Sequence, residues 1–235
     1  MTKFKASTRR DIPRIAEKLK LDKEQIIDMQ AVSAVLPFRV NDFVIDNLIE
    51  PSQVPDDPIF QLTFPQRGML HDDDYRHMRD LVVSQASEAD LKIAADKIRK
   101  KLNPHPAGQM ELNVPKLEGE VVEGMQHKYQ ETVLFFPTQG QTCHAYCSYC
   151  FRWAQFVGDA DLKFATKEAE NLARYVRENP QVSSVLITGG DPMVMKTSIL
   201  RRYIDQLFKE ELPNLHRNRI GTKALAYLPY LLNEG

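Results

Sequence analysis

The sequence predicts an α/β protein in which a helical region, residues 1–105, precedes a run of βα units in residues 106–235. Three observations carry this. Short apolar runs occur at residues 133–136 and 184–187, each the length of a buried strand, and residues 216–221 fall where a third strand would follow. Amphipathic stretches at 167–178 and 197–209 fall between them, as crossover helices do. The chemically distinctive residues then follow strand ends, where parallel α/β architectures build their sites.

Element by element, Asp11-Ile12-Pro13 leads into Ile15, Leu19 and Leu21, a first helical pattern. Asp22 is a helix-capping residue ahead of Ile26, Ile27, Met29, Val32 and Val35, and Pro37 ends that helix. The proline-rich stretch from Pro51 to Pro58 reads as a loop. A further helix is expected over Glu88–Lys101, burying Leu91, Ile93, Ala94, Ile98 and Leu102. This first region reads as scaffold or oligomer contact. In the second, strand 133–136 leads to a cysteine-bearing loop, helix 167–178 returns, strand 184–187 leads to a glycine turn, helix 197–209 returns, and 216–221 is a third strand.

All three cysteines, Cys143, Cys147 and Cys150, fall within eight positions. A disulfide framework wants pairs and a secretory context, and chance clustering of buried small residues is a poor account of three out of three. Iron-sulfur clusters commonly take four thiolates and closed zinc sites four protein ligands. Three thiols without a fourth therefore point to a metal centre with one open coordination position. Zinc held by the three cysteines and His144 is the rival reading.

Downstream, Val185-Leu186-Ile187-Thr188-Gly189-Gly190-Asp191-Pro192 reads as a buried strand entering a glycine turn with a carboxylate at its tip. Glycines let backbone approach a ligand closely, and a carboxylate suits an ammonium group. A tight connection would look the same by itself. The turn, however, follows Cys150 by roughly the length of one βα unit.

The spacing C-x3-C-x2-C, with Tyr149 before the last cysteine, resembles the signature of radical S-adenosylmethionine (SAM) enzymes. That resemblance implies a 4Fe-4S cluster on Cys143, Cys147 and Cys150, with SAM chelating the fourth iron and yielding a 5'-deoxyadenosyl radical on reduction. It places Tyr149 near the adenine, and Thr188, Gly189, Gly190 and Asp191 at the methionine end of SAM. Residues His127-Lys128-Tyr129, Val133-Leu134-Phe135-Phe136, Arg152, Asn179-Pro180-Gln181-Val182 and Arg219-Ile220-Gly221-Thr222-Lys223 narrow it to the lysine 2,3-aminomutase family, also called the KamA family. The family implies the first units of a partial TIM-type barrel, an isomerase that migrates an amino group on an amino acid, and pyridoxal phosphate (PLP) as a further cofactor. It assigns Arg152 to the substrate carboxylate, where a solvated or cluster-tuning cation is the alternative, and Lys128 and Tyr129 to the PLP phosphate.

Departures accompany the matches. Phe151-Arg152-Trp153-Ala154-Gln155 stands where the family has a threonine and a run of arginines, and Thr132 where it has a phosphate-holding arginine. Threonine brings no charge to a phosphate. The loop Pro137-Thr138-Gln139-Gly140-Gln141-Thr142 is about two residues longer than in the aminomutases. Residues 131–235 leave room for about three βα units at roughly 30 residues each, so the C-terminal portion, with the lysine that binds PLP, is expected to be lacking. The expected partners are accordingly a small amino-acid substrate, with a homo-oligomer or a separate C-terminal polypeptide. A non-catalytic iron-sulfur or zinc module, or one half of a split enzyme, is the alternative function.

A net charge of −1 gives no electrostatic case for nucleic acid or an anionic membrane. No apolar run reaches the length of a membrane span. The N-terminus, with Lys3, Lys5, Arg9 and Arg10 but no apolar core, does not read as a secretory signal. Reduced thiols fit the cytoplasm.

Overall fold

A computed structural model describes residues 5–209 and 211–233; Lys3, part of the N-terminal reading, lies outside them. The protein is mixed α/β, with many helices and a largely parallel sheet. It divides into two compact units. One comprises Met1–Pro104, His144–Asp159 and Ala226–Gly235, and the other His105–Cys143 and Ala160–Leu225.

The first unit contains β1 (Ala6–Thr8), α1 (Ile12–Leu19), α2 (Lys23–Val35), β2 (Arg39–Asn41), α3 (Asp42–Asn47), α4 (Pro58–Thr63), α5 (Asp72–Val83) and α6 (Glu88–Lys101). Helix α1 buries Ile12, Ile15, Ala16 and Leu19, one face at helical spacing, and ends where Lys20 turns left-handed. Asp22 caps α2 as expected, accepting from the Gln25 N–H at 2.8 Å. α2 is buried on two sides: Met29 joins an apolar cluster with Ile12, Ile15 and Phe64, whereas Ala31, Val32 and Val35 join another with Met78, Leu91 and Ile98. Arg99 closes the C-terminal end of α2, its Nε donating to Val35 O at 2.7 Å and Nη2 to Ala34 O at 3.1 Å. In the expected loop, Asp57 accepts from Ile59 and Phe60 N–H groups at 2.9 and 2.8 Å and so starts α4 at Pro58. The span of α6 is as expected, but its buried face is not. Ile93 is exposed, and Ala95 is buried instead, because Leu91, Ala94, Ala95 and Ile98 share one helical face and Ile93 lies on another.

The second unit begins with the small hairpin β3 (Lys116–Leu117) and β4 (Glu120–Val121), followed by β5 (Met125–Tyr129), β6 (Thr132–Phe135), α7 (Ala169–Glu178), β7 (Ser184–Ile187), α8 (Thr197–Lys209) and β8 (Arg217–Ile220). Helices α9 (Ala224–Tyr227) and α10 (Tyr230–Asn233) complete the chain's elements. The sheet order is β5-β6-β7-β8, with β6, β7 and β8 parallel and β5 antiparallel to β6. Strand β5 was not expected. Its alternation is obscured by polar residues and by a register shift between Gln126 and Tyr129. The first parallel strand also stops one residue early. Phe136 instead gives its N–H to Gly124 O and its carbonyl to Thr166 N–H, both at 2.9 Å. α7 starts at Ala169 rather than at 167, since the Thr166 hydroxyl accepts from the Glu168 N–H at 3.1 Å and holds a turn there.

Val133, Phe135, Val185 and Ile187 alternate onto one face of the sheet and are buried with Leu172, Val176, Tyr203 and Leu207 from α7 and α8. The connection between α8 and β8 is fastened by Asn214, whose amide donates to Val176 O at 3.0 Å and Val182 O at 2.8 Å. Asn214→Ala leaves those carbonyls without their donor and is expected to cost about 1–3 kcal/mol, read as a lower urea midpoint at unchanged slope. An unaltered midpoint would show that solvent satisfies both carbonyls equally well.

Candidate functional site

The cysteine-bearing loop is divided between the two units: Cys143 belongs to the second, Cys147 and Cys150 to the first. Within the first unit the loop backbone is fastened at several points. Tyr146 N–H donates to Arg39 O at 2.9 Å and Ser148 N–H to Leu62 O at 2.8 Å, while the Asn41 amide donates to His144 O at 3.3 Å and Tyr227 O at 2.9 Å. Ala145 is buried in the cluster around α1, Cys147 packs against it, and Trp153 packs against the cluster around α6. Cys147 and Cys150 line one apolar pocket with Phe38, Phe64, Met69 and Trp153, and the Cys150 N–H donates to Cys147 O at 3.1 Å, tightening the turn between them. Cys147 Sγ is 3.8 Å from the Tyr227 hydroxyl.

All three cysteines are partly exposed. Among the described residues, no group of three His, Cys, Asp or Glu side chains is gathered to hold a metal ion, and this applies equally to the zinc reading with His144. Tyr149 is exposed, as is Phe151. Arg152 is buried at 8% exposure. Burial pulls its guanidinium down to about 10, against the opposing influence of Cys150.

In the second unit, the Gly-Gly-Asp turn sits at the carboxyl end of β7 and packs on the start of the cysteine loop. The Asp191 N–H donates to Thr142 O at 2.6 Å. A Cβ on Gly190 would overlap Thr142 N and O and Gly140 O, and one on Gly189, at φ +131°, would overlap the Gln141 amide. Glycine is required here by the protein's own backbone. The Asp191 side chain is buried and faces inward: Oδ1 accepts from the Thr222 hydroxyl at 2.7 Å and the Met193 N–H at 3.0 Å, and Oδ2 from the Lys223 N–H at 2.8 Å. Thr188 N–H continues the strand ladder to Phe135 O at 2.9 Å. Sequence reasoning placed this turn correctly at a strand end, yet did not see that the carboxylate ties it to the residues after β8.

The residues assigned to a phosphate lie toward the opposite end of β6. Lys128 and Tyr129 are exposed at the end of β5. His127 is engaged internally, its Nδ1 2.6 Å from the Tyr175 hydroxyl and its Nε2 3.1 Å from Gln130 O. Thr132 Oγ1 accepts from Arg219 Nη2 at 3.1 Å, and Ser184 Oγ from Arg219 Nε at the same distance. No local pattern shows this convergence; only the strand register brings position 219 to position 132.

Asp191→Ala removes a charged acceptor from three donors and is expected to destabilise the second unit by about 3 kcal/mol, with faster amide exchange at Lys223 than in the wild type. Wild-type exchange and stability in the variant would show that the carboxylate fastens nothing.

No family model matches the chain. Individual proteins do. The chain is 32% identical over 117 residues to the L-lysine 2,3-aminomutase of Bacillus subtilis, covering 50% of this chain and 24% of that protein. An Aquifex aeolicus protein bearing the same name provisionally is 38% identical over 109 residues, 46% of this chain and 28% of its own length. The glutamate 2,3-aminomutase of Clostridioides difficile is 30% identical over 92 residues, 39% and 21% respectively. The chain thus spans about a quarter of the length of the curated relatives it matches. Over about half of its own length, the chain is similar to several lysine 2,3-aminomutases at 32–38% identity.

Proposed function

We propose that this chain carries the cluster- and SAM-binding part of a radical SAM enzyme of aminomutase type, acting on an amino acid, built on the first units of a TIM-type barrel. One observation supports this above the others: the residues leading into Cys143 are fastened by backbone to the Gly-Gly-Asp turn of the adjacent parallel strand. The two motifs assigned to a single cofactor assembly therefore start from one place at the carboxyl ends of β6 and β7.

The donor chemistry fits the implied cluster. Three partly exposed cysteines match in kind and number the three iron positions that protein ligands would take. Cys143, Cys147 and Cys150 would hold the cluster, which when bound with SAM supplies a radical able to abstract hydrogen from the substrate. The chain's own residues bind and orient. Thr188, Gly189 and Gly190 offer backbone to the methionine end of SAM, Asp191 holds that backbone in place, and Tyr149 offers an exposed ring for the adenine. Arg152, buried two residues after Cys150, would receive the substrate carboxylate. Lys128 and Tyr129 remain the proposed contacts of a PLP phosphate. A homo-oligomer or a separate polypeptide is the proposed partner, and the cytoplasm the proposed compartment. Among the described residues, no helix is long and apolar enough to cross a membrane.

Anaerobic reconstitution tests the reading. Wild type is expected to bind about four irons and four sulfides per chain and to release 5'-deoxyadenosine from SAM on reduction, while the triple variant Cys143→Ala, Cys147→Ala, Cys150→Ala does neither. Zinc without iron in anaerobically purified wild type would instead establish a structural metal module.

A further inference from the structure

The first unit contains a cleft of about 520 Å³, lined by the turn before α1, by α2, by the end of α5 and by the start of α6. Pockets for small molecules commonly measure roughly 300–1,000 Å³. Helix α5 ends because Gln85 turns left-handed, at φ +55°. The Gln85 N–H then donates to Val82 O at 3.1 Å and the Ala86 N–H to Leu81 O at 2.9 Å. Helix α6 starts only at Glu88, after Ser87 Oγ accepts from the Asp90 N–H at 3.2 Å. Arg9 Nη1 donates to Glu88 Oε2 at 3.3 Å and so ties the turn before α1 to this start of α6.

The lining has an apolar part and a charged one. Half-buried Leu81 and Val82 on α5 and exposed Pro13 on α1 supply the apolar surface, with Leu91 of α6 also in the lining. The cations are Arg9 and Arg10. Arg9 is compensated by Glu88. Arg10 is exposed, and its side chain forms no hydrogen bond or ion pair among the described residues. Gln30 and Gln85 bring side-chain amides to the same lining, and these too bond to none of the described residues. Each amide can donate or accept.

We infer that this cleft binds a small monocarboxylate with an apolar, ring-sized body, its carboxylate on Arg10. A guanidinium fork gives a carboxylate two parallel hydrogen bonds, and the body of the ligand covers Leu81 and Val82, removing apolar surface from water. Charge balance selects the monoanion. The second charge of a phosphate monoester finds no further cation, because Arg9 already faces Glu88. A neutral ligand of the same shape leaves Arg10 unused. Every residue in the argument lies in the first unit and none is a cysteine, so the inference goes beyond the proposed enzymatic function and does not rest on it.

The test is an NMR titration of the full chain, labelled at leucine and valine methyls, with phenylacetate at low ionic strength. Saturable shifts are expected at Leu81, Val82 and Leu91, with an affinity roughly tenfold or more above that for phenylacetamide, acetate or phenyl phosphate. Arg10→Gln is expected to weaken phenylacetate by roughly tenfold at an unchanged melting temperature. Absence of saturable shifts at those methyls, equal affinity for phenylacetamide, acetate or phenyl phosphate, or unchanged affinity in Arg10→Gln would each overturn the proposal. Should that variant fail to fold, the comparison of phenylacetate with phenylacetamide on the wild type decides. Because iron, SAM and turnover play no part in the readout, this result stands apart from the fate of the proposed enzymatic function.

Discussion

Asp191 is the fastening on which the carboxyl end of the second unit's parallel sheet depends. Parallel strands leave their connections to be organised by something other than a hairpin turn, since each strand end is followed by a separate crossover. Here one residue joins three such ends. Its N–H reaches Thr142 in the loop after β6, and its carboxylate gathers Thr222 and Lys223 after β8. A buried carboxylate is tolerable only when its oxygens are satisfied, and three donors do so here. The two glycines before it let the chain come close enough for the first of these contacts. The same turn that would present backbone to a small ligand is thus held rigid by the protein's own interior.

In the first unit an equivalent role falls to α2 and Asn41. Because α2 is buried on two sides, its apolar residues do not form a single stripe, and it separates two cores. The segment that returns with Cys147 and Cys150 is fastened onto this scaffold at Arg39, Asn41 and Leu62. A short, cysteine-bearing loop could not hold a conformation through apolar burial alone. Backbone bonds to β2 and α4, with Ala145 and Trp153 inserted into the two cores, supply what it lacks. Burial of Arg152 beside Cys150 follows from this packing and gives the loop a cation whose hydration has been stripped away.

The departures from the aminomutase pattern gain physical meaning from the sheet. Replacing an arginine by threonine at position 132 removes a charge from β6, but Thr132 then serves as an oxygen acceptor that orients Arg219. Phe151, where the family carries polar and basic residues, is exposed. It contributes nothing to the described cores, and nothing in the structure explains it.

The sequence by itself determined the parallel strands, the returning helices and the position of the two motifs at strand ends. Local signals suffice for these: β7 and α8 match their expected spans because apolar alternation and helical spacing are properties of consecutive residues. The N-cap at Asp22 was legible for the same reason. Strand β5 was hidden because polar residues and a register shift interrupt its alternation, and Ile93 was misplaced because it lies off the helical face shared by Leu91, Ala94 and Ile98. Tertiary structure alone decided that Asp191 faces inward and that Arg219 reaches Thr132. Both are contacts between residues remote in sequence, fixed by strand register and loop packing, and no pattern in neighbouring residues encodes them.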